Sequence, residues 1–234
     1  MPTLLGESTF PPENPPTKPV AEPVAANLIV LSGPSGVGKS TVLRRLLERY
    51  PDRLRLSVSA TTRPPRPDEK DGVDYYFLTE EEFARRRQAG EFLECCEVFG
   101  RGHWYGTLLS EVRPSPNDPK WVILDIDVAG AEKVRQQLPG VPTIFLQPSS
   151  EAELERRLRA RGTETEEAIQ RRLEVARREM AQADRYQFQV INDTVDHAVE
   201  QMSKILQRLG VLSSSNPSLA SAAKLQERKD DRST

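Results

Sequence analysis

The chain has little cysteine: two residues in 234, and they are neighbours, Cys95 and Cys96. Adjacent cysteines cannot staple distant segments, and no CxxC or Cys/His ligand spacing accompanies them, which argues against a disulfide framework and against metal held by cysteine. The usage points to a reducing, cytoplasmic compartment. No apolar run approaches the ~20 residues that cross a bilayer. Met1 to Phe10 lacks the basic start and apolar centre of a secretory signal, so neither secretion nor a membrane is expected. There is no sequence repeat. There is also no excess of one charge: the formal net charge is −2, which argues against a general nucleic-acid binder. Arginines do crowd into 156–161 and 171–178, and a near-neutral chain with local arginine clusters can hold a small polyanion.

What is present is an alternation of short apolar runs and amphipathic stretches. Residues 1–26 carry seven prolines and 213–234 are rich in Ser, Lys and Asp; both read as disordered ends. Between them, Leu28–Leu31 reads as a buried strand, Ser40–Arg49 as a helix and Leu54–Ser59 as a strand; residues 60–107 change character, with prolines and charges first, then Asp74–Leu78, then a helix opened by Thr79. Short strands are expected over 91–98, then strands at Trp121–Ile126, Thr143–Leu146 and Gln189–Ile191, with helices over 129–138 and from Val195 to Leu209. Thr79 with Glu82, Ser150 with Glu153 and Thr163 with Glu166 have capping-box spacing, and Gly90 reads as a helix end. The alternation predicts an α/β fold with a mostly parallel sheet and helices on both faces. Residues 60–107 read as an inserted α/β subdomain and 150–182 as a helical one, on a core of 27–59, 108–149 and 183–212.

The clearest motif is GPSGVGKS over 33–40. It satisfies GxxxxGK[ST] through Gly33, Gly38, Lys39 and Ser40, with an apolar strand before it and a helix after it. Such a loop aims backbone N–H groups at phosphates from a helix N-terminus. Gly33, Pro34, Ser35, Gly36, Val37, Gly38, Lys39, Ser40 and Thr41 are therefore the candidate triphosphate site. Lys39 reaches for the terminal phosphates, and the Ser40 hydroxyl is a candidate Mg²⁺ ligand. Alone, the loop leaves ATPase, GTPase and kinase open. Nothing resembling an NKxD base-reading segment supports a GTPase.

A second stretch narrows the choice. In SVSATTRPPRP (57–67) two arginines stand three apart in a proline-stiffened segment, and preorganised guanidiniums suit a phosphate. This stretch, with GPSGVGKST (33–41), DGVDYYF (71–77), GEFLE (90–94), WYGT (104–107), ILDID (123–127), RGTETEEAIQRRL (161–173) and VIND (190–193), resembles the guanylate kinase family from about Asn27 to Leu209. The resemblance implies a P-loop nucleoside monophosphate kinase with a GMP-binding insert and a helical lid, transferring a phosphoryl group from ATP to GMP with Mg²⁺. Arg63, Arg66, Tyr75 and Tyr105 match the family's GMP-phosphate residues. Glu94 matches the base reader, helped by Ser59 and Thr107, with Asp127 also near the base. Arg157, Arg161 and Arg172 match the arginines that close over the ATP phosphates, and Asn192 a position near the adenine. The catalytic set is then Lys39, Arg63, Arg161 and Arg172. Nothing visible reads a 2′-hydroxyl, so dGMP is an expected acceptor beside GMP. The two inserted regions are expected to close and exclude water.

The chemistry of guanine agrees with Glu94. The base donates from N1 and from its 2-amino group, and an ionised carboxylate accepts both; adenine presents a lone pair at N1 instead. On strand geometry, Asp125 and Asp127 are two apart and share a face; on helix geometry, Arg157 and Arg161 are four apart and share one too. Before WYGT the chain carries about two residues more than the family pattern, and Trp104 stands where a tyrosine is usual. His103 reads as a surface residue and His197 as structural. A scaffold module that has lost catalysis is the rival; the intact Lys39 and Ser40 oppose it.

Overall fold

Two neighbouring runs of the chain, 54–56 and 59–61, pair into different sheets, and this divides the molecule. A computed structural model describes residues 27–97, 102–113, 115, 118–160 and 165–213. The described residues fall into two compact units: one holds those of 27–57 and from Glu111 onward, the other those of Val58–Ser110.

The larger unit is built on five strands: β1 (Leu28–Ser32), β2 (Leu54–Leu56), β7 (Trp121–Asp125), β8 (Thr143–Pro148) and β9 (Phe188–Asn192). They lie in the order β2-β7-β1-β8-β9, every pair parallel. The central strands are apolar at successive positions because both faces are covered. Ile29, Leu31, Ile123, Ile144 and Leu146 face a core shared with α1 (Lys39–Arg49) and α7 (Val195–Arg208), where Val42, Leu43, Leu46, Met202 and Leu206 are buried. Alternate residues such as Val30, Leu124 and Phe145 are equally buried and serve the face that carries α4 (Val128–Gln137). Two further helices, α5 (Glu151–Arg159) and α6 (Glu166–Met180), bury Leu154, Leu158, Ile169, Leu173 and Ala176 against each other.

The smaller unit is a four-stranded sheet, β4-β3-β6-β5, of β3 (Ser59–Thr61), β4 (Tyr76–Phe77), β5 (Phe92–Glu97) and β6 (Trp104–Leu108). Helix α2 (Glu80–Gln88) lays Phe83 on its core beside Phe92 and Cys95. A short turn of helix, α3 (Leu109–Val112), follows β6.

Several expectations are corrected. The single strand expected over Leu54–Ser59 is two strands, since Ser57 still donates to Ile123 of β7 while Ser59 already pairs with Thr107 of β6. The short strands expected over 91–98 are one strand of six residues. Thr79 and Ser150 do cap their helices, accepting from the N–H of Glu82 and Glu153. The acids do not return the bond: Glu82 pairs with Arg85 and Arg86, and Glu153 with Arg156 and Arg157. Helix α6 is capped by Thr165 rather than Thr163. Strand β7 ends at Asp125, and Asp127 turns away to cap α4, accepting from the Gly130 N–H at 2.7 Å; the shared strand face of the two aspartates does not persist. His103 is half-buried with its Nδ1 shielded from solvent, whereas His197 is exposed and pairs with Asp193.

Candidate active site: a phosphate loop and a buried polar row

Helix α1 begins differently from the other long helices. Thr79, Asp127, Ser150, Thr165 and Thr194 cap α2, α4, α5, α6 and α7 with side-chain oxygens. The cap of α1 is Gly38, in the left-handed region at φ 97° and with no side chain to offer. The first N–H groups of α1 are thus left for a ligand, and no acidic residue in its first turn opposes an anion. A Cβ on Gly38 would also meet Asn192 Nδ2 at 2.8 Å. Gly33 is more constrained: its φ is 150° and a Cβ would stand 2.1 Å from the Leu146 carbonyl oxygen, so only glycine lets the loop leave β1 against β8. Lys39 Nζ donates to the Gly33 carbonyl at 2.7 Å, spanning the loop from end to end. Ser40 and Thr41 are exposed in the first turn.

The loop is held from outside by side chains distant in sequence. Asn192, at the end of β9 and 2% exposed, donates to the Val37 carbonyl at 2.7 Å. Arg157 of α5 donates to the same carbonyl at 3.0 Å and to the Asn192 carbonyl at 2.9 Å, while Glu153 pairs with its Nε. Arg172 of α6 donates to Ser35 Oγ at 2.7 Å. Arg157, Arg172 and Asn192 thus gather at residues 35–37. Helix α5 stops at Arg159, and Arg161 lies outside the described residues. At the end of β7, Asp125 faces Lys39; burial pushes its carboxyl up while the lysine pulls it down. Motif reading missed Glu179 of α6. Its carboxylate takes a hydrogen bond from the Ser35 N–H and faces Lys39 and Asp127, and burial pushes it up to about 7.

In the smaller unit, strand register aligns the other candidates. Thr107 stands opposite Ser59 on one side and Glu94 on the other. Directly opposed residues share a sheet face, so the three form one row across β3, β6 and β5. Glu94 is 3% exposed and Thr107 is fully buried; Thr107 Oγ1 donates to Glu94 Oε1 at 2.8 Å. The packing between them requires Gly106, where a Cβ would meet Cys95 Cβ, the Glu94 carbonyl and Phe92 Cδ1, all at 2.8 Å.

Two residues along β6 from Thr107, about 7 Å at strand rise, stands Tyr105. Its hydroxyl accepts from Arg63 Nε at 3.2 Å, and its ring meets Tyr75 edge-on with centroids 6.0 Å apart. The Arg63 guanidinium sits 5.4 Å from the Tyr75 ring centroid. Its Nη2 donates to both oxygens of Glu69 at 2.9 Å. Glu69, likewise missed by motif reading, also accepts from the Arg66 N–H at 2.8 Å. Burial opposes ionisation of Glu69, but Arg66 and Arg63 outweigh it and hold the carboxyl below its ordinary value. The Arg66 side chain itself extends into solvent, 74% exposed. The row of Ser59, Thr107 and Glu94 and the arginine–tyrosine cluster thus lie on one small sheet, joined through β6. Part of the 99–104 segment, in which about two extra residues were expected, lies outside the described residues, at 99–101.

Comparisons with known proteins bear on the family of the chain. The family model described as "Guanylate kinase" matches residues 25–209. A guanylate kinase of Rhodopirellula baltica is 53% identical over 180 residues, covering 76% of this chain and 86% of that one. One from Thermosynechococcus vestitus is 50% identical over 179 residues, covering 76% and 92%. The crystal structure of guanylate kinase from Anaplasma phagocytophilum superposes with a TM-score of 0.60 at 32% identity, covering 82% of this chain and 88% of that one. With a match across most of the chain and relatives half identical to it, the chain belongs to the guanylate kinase family.

Proposed function

We propose that this chain transfers the γ-phosphoryl group of ATP to GMP, and also to dGMP, giving ADP and GDP. Family membership makes it a guanylate kinase; the division of labour among its residues is our reading. One observation carries the acceptor assignment: Glu94 is buried, with Thr107 donating to one of its oxygens. A carboxylate so placed is complementary to the N1–H and 2-amino donors of guanine, and adenine leaves it facing a lone pair. Ser59 completes the row. Arg63, Arg66, Tyr75 and Tyr105 hold the acceptor phosphate, and we keep Asp127 as a neighbour of the base in addition to its capping bond.

The donor side is residues 33–41, with Lys39 turning from the Gly33 carbonyl to the β- and γ-phosphates. Arg157, Arg161 and Arg172 are assigned to the triphosphate, Asn192 to the adenine end, and α5 and α6 to the lid. Among the described residues no group of three or more His, Cys, Asp or Glu could hold a metal. Ser40 is exposed beside Lys39, and one hydroxyl supplemented by phosphate oxygens and water is a donor set that Mg²⁺ accepts. The residues therefore fit a metal that arrives with the nucleotide. When bound, Mg²⁺ neutralises charge on the β- and γ-phosphates. The GMP phosphate has a second pKa of about 6 and is ionised at neutral pH, so the attacking oxygen needs no general base. The protein's part is alignment and charge stabilisation. Among the described residues no helix is long and apolar enough to cross a membrane; we place the enzyme in the cytoplasm, with no nucleic-acid or membrane partner.

A coupled assay of ADP formation with GMP, dGMP, AMP, UMP or CMP as acceptor tests the reading. Turnover with GMP and dGMP alone is expected. Strong turnover with AMP and none with GMP would remove the base assignment, and no turnover with any acceptor would favour the scaffold.

A further inference from the structure

The phosphate loop already holds an acidic side chain of the protein itself. Glu179 sits near the C-terminal end of α6, and its carboxylate takes a hydrogen bond from the Ser35 N–H, one of the loop amides. Its Oε2 is shut off from solvent and has no hydrogen-bond partner among the described residues. The charged and titratable groups facing it come from three directions: Lys39 from the start of α1, Asp127 from the cap of α4, and Tyr186 just before β9. Lys39 also faces Asp125. The loop's lysine thus serves two carboxylates before any nucleotide arrives.

We propose that Glu179 is a resident competitor for the phosphate loop: its carboxylate holds the Ser35 amide in the nucleotide-free enzyme and must yield it, or take up a proton, when a triphosphate binds. The proposal rests on the donor-site reading above. The physical grounds are charge and shared donors. A loop built to direct N–H groups and one lysine at phosphate oxygens cannot also satisfy an ionised carboxylate at the same place without repulsion. The same helix carries Arg172, which donates to Ser35 Oγ. Helix α6 therefore touches Ser35 with one cation and one carboxyl group, an anion when ionised. A triphosphate is attracted by the first and repelled by the second, so binding of ATP is coupled to where this end of α6 sits.

The coupling has a sign. Nearby phosphates raise the affinity of the Glu179 carboxyl for a proton. Binding of MgATP is then accompanied by proton uptake, and affinity rises as pH falls through the neutral range. Glu179→Gln removes only the Glu179 carboxyl and leaves Asp125 and Asp127 in place, so the difference between the two proteins reports Glu179.

The test is calorimetric titration of the full chain with ATP and excess Mg²⁺, which keeps the nucleotide itself ionised, between pH 6 and pH 8. Glu179→Gln should bind MgATP about three- to tenfold more tightly than the unmodified enzyme at pH 8, and the two should converge towards pH 6. Equal or weaker binding by Glu179→Gln at pH 8 would overturn the proposal. Should the variant fail to fold, the unmodified enzyme suffices. At pH 7, titrations in buffers of different ionisation enthalpy should show a substantial fraction of a proton taken up per MgATP, and no uptake would overturn the proposal. Lys39→Ala separates the two readings. Loss of MgATP affinity in Lys39→Ala with no effect of Glu179→Gln removes the competitor alone. Unchanged affinity in Lys39→Ala removes the donor site, and the competitor with it.

Discussion

Thr107 and Glu94 face each other across β6 and β5, the threonine hydroxyl donating to the carboxylate at 2.8 Å with both side chains buried. The bond leaves the carboxylate oriented by the sheet rather than by solvent, and burial makes any change in its partners costly. Glu94→Gln replaces acceptor capacity with donors that guanine cannot accept at N1. The KM for GMP should rise about ten- to hundredfold, the size of a lost charged hydrogen bond, with the KM for ATP nearly unchanged. Steady-state kinetics with each substrate varied in turn check this, and an unchanged GMP KM would take Glu94 out of the base site.

Gly106 stands where three heavy atoms already lie 2.8 Å from a would-be Cβ. Two of them, the Glu94 carbonyl and Cys95 Cβ, are not the free ends of flexible side chains. Gly106→Ala should therefore destabilise the smaller unit by about 1–3 kcal/mol, the usual size of overpacking. It should also weaken GMP binding by shifting β5. Thermal unfolding with and without GMP measures both; an unshifted melting temperature would contradict the packing.

Glu69 holds Arg63 through two hydrogen bonds and the Arg66 N–H through a third. Its carboxyl is held below its ordinary value, so its contribution is present above the unfolded carboxylate range and is lost as pH falls through the lower folded value. Glu69→Ala should leave Arg63 misaligned and weaken GMP about five- to twentyfold in calorimetry. Equal GMP affinity in the variant would show that Arg63 is aligned without it.

Lys39 closes the phosphate loop onto the Gly33 carbonyl and is assigned to the terminal phosphates of ATP. Lys39→Ala should abolish turnover and leave GMP affinity within about twofold, because all the assigned acceptor residues except Asp127 lie in the other unit. Loss of GMP binding in calorimetry would contradict that division of sites.

Glu179 is pushed up to about 7, first by burial, with Lys39 opposing and Asp127 adding to the shift. A carboxyl whose folded value is raised keeps its proton in the fold while the unfolded chain has released it. Its contribution is full below the unfolded value and is lost as pH rises through about 7. Glu179→Gln should therefore unfold at higher temperature than the unmodified chain at pH 8, by an amount equivalent to about 1–2 kcal/mol, and at the same temperature near pH 5. Parallel melting curves at the two pH values would show that Glu179 does not titrate in this range.

The sequence by itself determined the parts whose physics is local. A short apolar run, glycines and a lysine at set spacing, and an amphipathic stretch specify a strand, a phosphate loop and a helix without reference to anything else. Thr79 and Ser150 cap their helices because a cap bond spans three residues. Arg63, Arg66, Tyr75, Glu94 and Tyr105 were legible as motif positions. Their arrangement was not, since the row formed by Ser59, Thr107 and Glu94 depends on the register of three strands.

What only the tertiary structure decided has sequence separation in common. Periodicity reports that residues 54–59 are strand-like, but whether a strand continues depends on which neighbours its N–H groups meet, and at Ser57 and Ser59 those are β7 and β6. Asp127 has the sequence context of a strand residue, yet the ladder ends at Asp125 and its carboxylate satisfies the start of α4 instead. Asn192 and Arg157 reach the Val37 carbonyl, and Glu179 the Ser35 N–H, across more than a hundred residues. A buried polar group must find a partner wherever the fold supplies one, and no local pattern records which residue that will be. The phosphate loop was therefore plain in the sequence, whereas the glutamate that occupies it was visible only once α6 had been folded against it.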